Sequence, residues 1–126
     1  MTKTTWLLRI VGTIQILLGV FYLFAPDLIL SSMGHSLPKA DIHYPLAMLA
    51  ARFIAYGTAF LYISPNPLPH RLWMFFMVFI QIIDLGAGIF YTTAGVVSLA
   101  LSWLPMSNAL WIIILLLLWM PKTKKA

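Results

Sequence analysis

The chain has 126 residues, 62% of them hydrophobic and only 9% charged, with a mean hydropathy of +0.95. Soluble domains carry roughly a quarter of their residues as charges, so an ordinary water-solvated globule is excluded and a single lipid-embedded domain is expected. The formal net charge of +5 does not point to nucleic acid: Lys3, Arg9, Arg71, Lys122, Lys124 and Lys125 stand at or beside the ends of apolar runs, and no basic face with interleaved aromatics exists.

These cations read instead as topology signals and contacts to anionic lipid. The absence of cysteine removes disulfides, thiolate nucleophiles and thiolate metal sites from consideration.

The first apolar run follows Lys3 and Arg9 in the manner of a signal peptide. A cleavage site is poorly formed, because Ala25 precedes Pro26 and Leu23 sits where a small residue is needed. A retained first span over about residues 6–25 is therefore expected, ended by Pro26, which cannot continue a helical hydrogen-bond ladder. Gly12, Gln15, Gly19 and Tyr22 recur at steps of three and four and share one face. Small residues there let another helix approach closely.

Residues 26–45 form the longest polar connection. Within it, Asp27 is expected to cap a short interfacial helix, Leu28 to Met33, stopped by Gly34. A second span covers about residues 46–63, with Ala47, Ala51, Ala55 and Ala59 at the four-residue spacing of close helix packing and Arg52 and Tyr56 on an adjacent stripe. The proline-rich turn Ser64–Pro69 leads to a third span over about residues 70–91, on which Met77, Gln81, Asp84, Gly88 and Tyr91 fall on one face.

Ala109 to Met120 alone makes about 18 Å of helix, too short to cross. A fourth span over about residues 96–120, kinked at Pro105 and entered by a turn at Thr92–Gly95, supplies the length; a re-entrant first half is the alternative. The expected fold is thus all-α, a polytopic membrane four-helix bundle with antiparallel spans. The positive-inside rule puts both termini in the cytoplasm and the 26–45 loop outside. Trp6, Tyr62, Trp73 and Trp119 would form an inner aromatic belt, and Tyr22, Tyr44, Tyr91 and Trp103 an outer one.

An ionisable group inside a span marks a candidate site, because it is costly there unless paired or neutralised. Asp84 and Arg52 are such groups, each about 10 Å below the outer boundary by helical rise, with Gln15, Gln81 and Tyr56 about a turn deeper. This intramembrane polar cluster reads either as a structural Arg52–Asp84 ion pair or as a wet cavity in which Arg52 binds an anionic or carbonyl group and Asp84 titrates. Contact with a partner protein is a third reading. His35, Asp41 and His43 in the loop are metal-type ligands, but spacings of eight and two match no recognised site, so no metal is expected. His70, at the edge of the third span, reads as interfacial, and no histidine lies deep enough inside a span to ligate haem. No phosphate loop, nucleophile elbow or carboxylate pair is present, and neither catalysis nor a cofactor is expected.

Arg9 with Gly12, the Ala25-Pro26-Asp27 exit and the Arg-led small-residue segment Arg52–Gly57 together resemble small bacterial four-helix membrane proteins of the DoxX-like type. The resemblance covers most of the chain at the level of layout. It implies a compact protein of the bacterial inner membrane, in a grouping sometimes tied to quinone-linked redox partners. Two function classes follow. One is a non-catalytic accessory or assembly subunit beside other membrane chains. The other is a small homo-oligomeric carrier or binding protein for an anionic, quinone-like or protonatable ligand at Arg52 and Asp84.

Overall fold

The computed structural model describes residues 2–122; Lys124 and Lys125, read above as topology signals, lie outside the described residues. The described residues form five α-helices: α1 (Lys3–Phe24), α2 (Pro26–Ser32), α3 (His43–Ile63), α4 (Arg71–Thr93) and α5 (Leu99–Leu118). Short 3-10 turns at Ala40–Ile42 and Leu68–His70 lead into α3 and α4. All but α2 are long and apolar enough to cross a membrane. The chain forms two compact units, Leu8–Tyr62 and Met1–Leu7 with Ile63–Ala126, so the division falls inside the continuous helix α1.

In the Leu8–Tyr62 unit, α1 and α3 meet backbone to backbone. A Cβ built on Gly57 would sit 2.6 Å from the Gly12 carbonyl oxygen, and one on Gly12 would sit 2.8 Å from that of Gly57. Farther along α1, a Cβ on Gly19 would lie 2.6 Å from Ile54 and 3.0 Å from the Ala50 carbonyl. Rising numbers on α1 thus meet falling numbers on α3, and Tyr22 stacks on Phe53 with ring centroids 5.8 Å apart. The expected inward face of α1 is present, since Gly12, Gln15 and Gly19 are buried. The alanine stripe of α3 is not the packing face: Ala51 and Ala55 are exposed, while Ala50, Gly57 and Phe60 are buried. Ala51 lies about 100° round the helix from Ala50. A glycine admits closer approach than an alanine, so Gly57 sets which face is used.

In the other unit, α4 and α5 form a hairpin. Gly88 abuts Met106, and the Thr92 and Ser102 hydroxyls hydrogen-bond at 2.7 Å. Met74, Met77, Val78, Ala109, Ile112 and Leu116 are buried. Helix α4 continues through Thr93, beyond the expected end of its span, and Val96 belongs to the connection instead of the fourth span. The reason is the position of the left-handed residue. Gly95 has φ +78°, Gly95 N–H donates to Thr92 and Val96 N–H donates to Tyr91, at 3.2 and 3.0 Å. This is a Schellman ending, in which the first residue past the cap needs positive φ. Residues 99–118 then form one continuous helix with Pro105 inside it, about 30 Å long.

The same ending closes α2. Gly34, at φ +89°, donates to Ser31, and His35 N–H donates to Leu30, at 3.0 and 2.9 Å. Gly34 therefore stops this helix as expected. Its start is different: Ala25 is the N-cap, Pro26 opens the helix, and Asp27 sits in the first turn without capping it.

Substitutions at two glycines should separate close packing from helix propensity. Gly57→Leu should destabilise the detergent-solubilised protein by about 1–3 kcal/mol through overpacking. Gly86→Ala, with nothing within 4 Å of the added carbon, should be neutral or stabilising by up to about 1 kcal/mol. Denaturant titration followed by circular dichroism measures both.

Candidate functional site

Each polar residue singled out in the spans has a definite setting on its own helix. Arg52 is exposed on α3, and its Nη1 donates to the Met48 carbonyl one turn back at 3.0 Å. Tyr56, a turn further on, is half-buried. Gln15 is buried on α1. On α4, Gln81 is buried and its Nε2 donates to Met77 Sδ at 3.3 Å. A thioether is a weak acceptor, so this is a modest partner for a buried amide.

Asp84 lies three residues past Gln81 yet is exposed, as is Tyr91. The single polar stripe expected on α4 is therefore split. At 100° per residue, the buried residues Met74, Met77, Val78 and Gln81 occupy a sector whose middle is roughly 70° from Asp84. The carboxylate is exposed and stands at the margin of the packed face. Arg52 and its exposed neighbours Met48 and Leu49 make a similar surface on α3. A charge on the apolar outside of a spanning helix is costly without a partner.

A polar contact not anticipated from the sequence joins α2 to α3. His43 Nε2 lies 2.9 Å from Asp27 Oδ1, the ring N–H donating to the carboxylate, and both side chains are partly exposed. His43 opens α3 and Asp27 sits in the first turn of α2, so two helix starts carry the pair. Loop polarity was visible in the sequence, but not which acid would meet which histidine. Among the described residues, no three His, Cys, Asp or Glu side chains are grouped to hold a metal, and His35, Asp41 and His43 do not form such a set.

An apolar hollow of about 320 Å³ lies between α1 and α2, lined by Ile14, Leu17, Leu18, Phe21, Leu28, Ile29 and Ser32. With one hydroxyl among seven lining residues, it offers room for hydrocarbon but no group to orient a reacting molecule. The Ser32 hydroxyl is moreover taken up by the Ile29 carbonyl at 2.8 Å. Comparison with protein-family models, curated proteins and solved structures found no match.

The Asp27–His43 pair should be a minor contributor. A double-mutant cycle with Asp27→Asn and His43→Gln, read by denaturant unfolding in detergent, should give a coupling under about 1 kcal/mol, as for other exposed ion pairs.

Proposed function

We propose that this chain is a multi-pass protein of the bacterial inner membrane, and that it serves as a non-catalytic accessory or assembly subunit docked against another membrane chain. In this reading the four long helices form an antiparallel bundle with both termini in the cytoplasm. Their length and apolar composition support membrane insertion. The side distribution of the cations and the layout shared with DoxX-like proteins support the orientation and compartment.

The observation that carries the docking role is the exposure of Asp84 on α4 and of Arg52 on α3, two long helices that are otherwise largely apolar. Apolar faces alone would be satisfied by lipid chains. Ionisable groups would not, and an oppositely charged or hydrogen-bonding residue on a neighbouring chain would satisfy them. The carrier reading would instead gather Arg52, Asp84, Gln15, Gln81 and Tyr56 around a small ligand within a self-assembly. The buried amides of Gln15 and Gln81 are its support.

Purification in mild detergent distinguishes the two. The accessory role predicts stoichiometric co-purification with an unrelated membrane chain. Asp84→Asn and Arg52→Gln should each weaken that association by about 2–5 kcal/mol while leaving the helix content unchanged. A self-assembly that retains a small molecule, lost on the same substitutions, would overturn the accessory role in favour of the carrier.

A further inference from the structure

One end of the unit formed by Met1–Leu7 and Ile63–Ala126 collects cations. The α4–α5 hairpin contacts at Gly88–Met106 and Thr92–Ser102 bring the start of α4 and the end of α5 to the same end. The start of α1 is fastened there as well. Thr4 Oγ1 donates to the Trp119 carbonyl at 2.6 Å, and Lys3 Nζ lies 5.5 Å from the centre of the Trp119 ring. That carbonyl lies at the C-terminus of α5, where helical carbonyls lack intrahelical donors and a nearby cation is favourable. Lys3, Arg71 and Lys122 therefore share one end. The only acid of this unit among the described residues, Asp84, is thirteen residues along α4, about 20 Å of helix away from Arg71.

Arg71 is the unusual member. Its guanidinium lies over the Phe75 ring, 5.6 Å from the centroid, and its Nε is buried with no hydrogen-bond partner among the described residues. An unsatisfied buried donor on a charged group is expensive. Nε itself is shut off from outside acceptors, so the terminal nitrogens of this half-buried side chain are the donors that an external anion can reach. Among the described residues no carboxylate side chain lies at this end, while anionic oxygens are abundant at a membrane surface. A guanidinium offers phosphate a planar, directed set of donors, whereas lysines act as point charges.

We propose that this end of the unit binds the phosphodiester of an anionic phospholipid headgroup, with Arg71 supplying the directed donor and Lys3 and Lys122 the surrounding charge. The site rests on the membrane reading above but not on the docking role. It differs from a general attraction of basic residues to the surface, because it requires the geometry of one guanidinium.

The test is native mass spectrometry of the full chain in non-ionic detergent with added dioleoyl phosphatidylglycerol or dioleoyl phosphatidylcholine. Phosphatidylglycerol should be retained at least about five-fold better than phosphatidylcholine. Arg71→Gln should reduce its retention by about five-fold or more, the scale expected for one basic residue at a lipid surface. Arg71→Lys, which keeps the charge and removes the planar guanidinium, should lose as much. Full retention by Arg71→Lys, or equal retention of the two lipids, would overturn the site. Displacement of phosphatidylglycerol by inorganic phosphate would overturn the lipid assignment in favour of free phosphate. Should Arg71→Gln fail to fold, Lys3→Gln carries the test: a several-fold loss supports the site and no change sinks it. Release of the chain from membranes by alkaline carbonate would defeat the membrane reading itself, separately from any lipid result.

Discussion

Backbone amides in segments this apolar have few partners beyond the chain, and this requirement governs the structure. In hydrocarbon each unsatisfied N–H or C=O costs several kcal/mol, so the spans must be helices and their ends must close on themselves. The two Schellman endings at Gly34 and Gly95 do this with backbone alone. Side chains extend the same accounting. Thr92 and Thr93 hydroxyls donate to the Gly88 and Ile89 carbonyls, and Ser31 and Ser32 donate to Leu28 and Ile29. Polar side chains in and beside the spans are thus occupied largely by their own helices.

With most of these hydrogen bonds taken up within helices, and few such as Thr92–Ser102 running between them, association between helices rests mainly on close packing. Lipid tails are as apolar as leucine, so no gain comes from merely removing apolar surface from its surroundings. Dispersion between atoms brought nearer than side chains normally allow is what remains. The mutual approach of Gly12 and Gly57 provides that contact between α1 and α3, and Gly88 against Met106 provides a looser version between α4 and α5. In both places a small residue receives its neighbour, but in the first the neighbour is backbone and in the second a flexible thioether. The first is therefore the more restrictive contact.

The charged residues divide by how they are accommodated. Asp27 meets His43, and Lys3 lies beside Trp119. Arg52 shares its guanidinium with a carbonyl of its own helix. Asp84 and Arg71 are left with demands that the described part of the chain does not meet: one is an exposed carboxylate on an apolar helix, the other a half-buried guanidinium among cations, its Nε without a partner. These two groups carry the proposals because each calls for chemistry from another molecule.

Four long helices, their approximate limits and the stop at Gly34 were readable from the amino-acid order, because length, apolar composition and glycine or proline punctuation are local properties. So was the buried face of α1, whose glycines and Gln15 repeat at helical spacing. Which face of α3 packs was not readable, since Ala51 and Ala55 match the small-residue pattern as well as Ala50 and Gly57 do. Only the backbone contact with Gly12 chooses between them. Nor could spacing alone divide Gln81 from Asp84 or match Asp27 to His43: a shared stripe tolerates tens of degrees of rotation, and loop closure brings together residues that the linear order keeps sixteen apart. Local chemistry thus determined what the segments are, whereas the rotation of each helix and the meeting of distant residues were decided by packing in three dimensions.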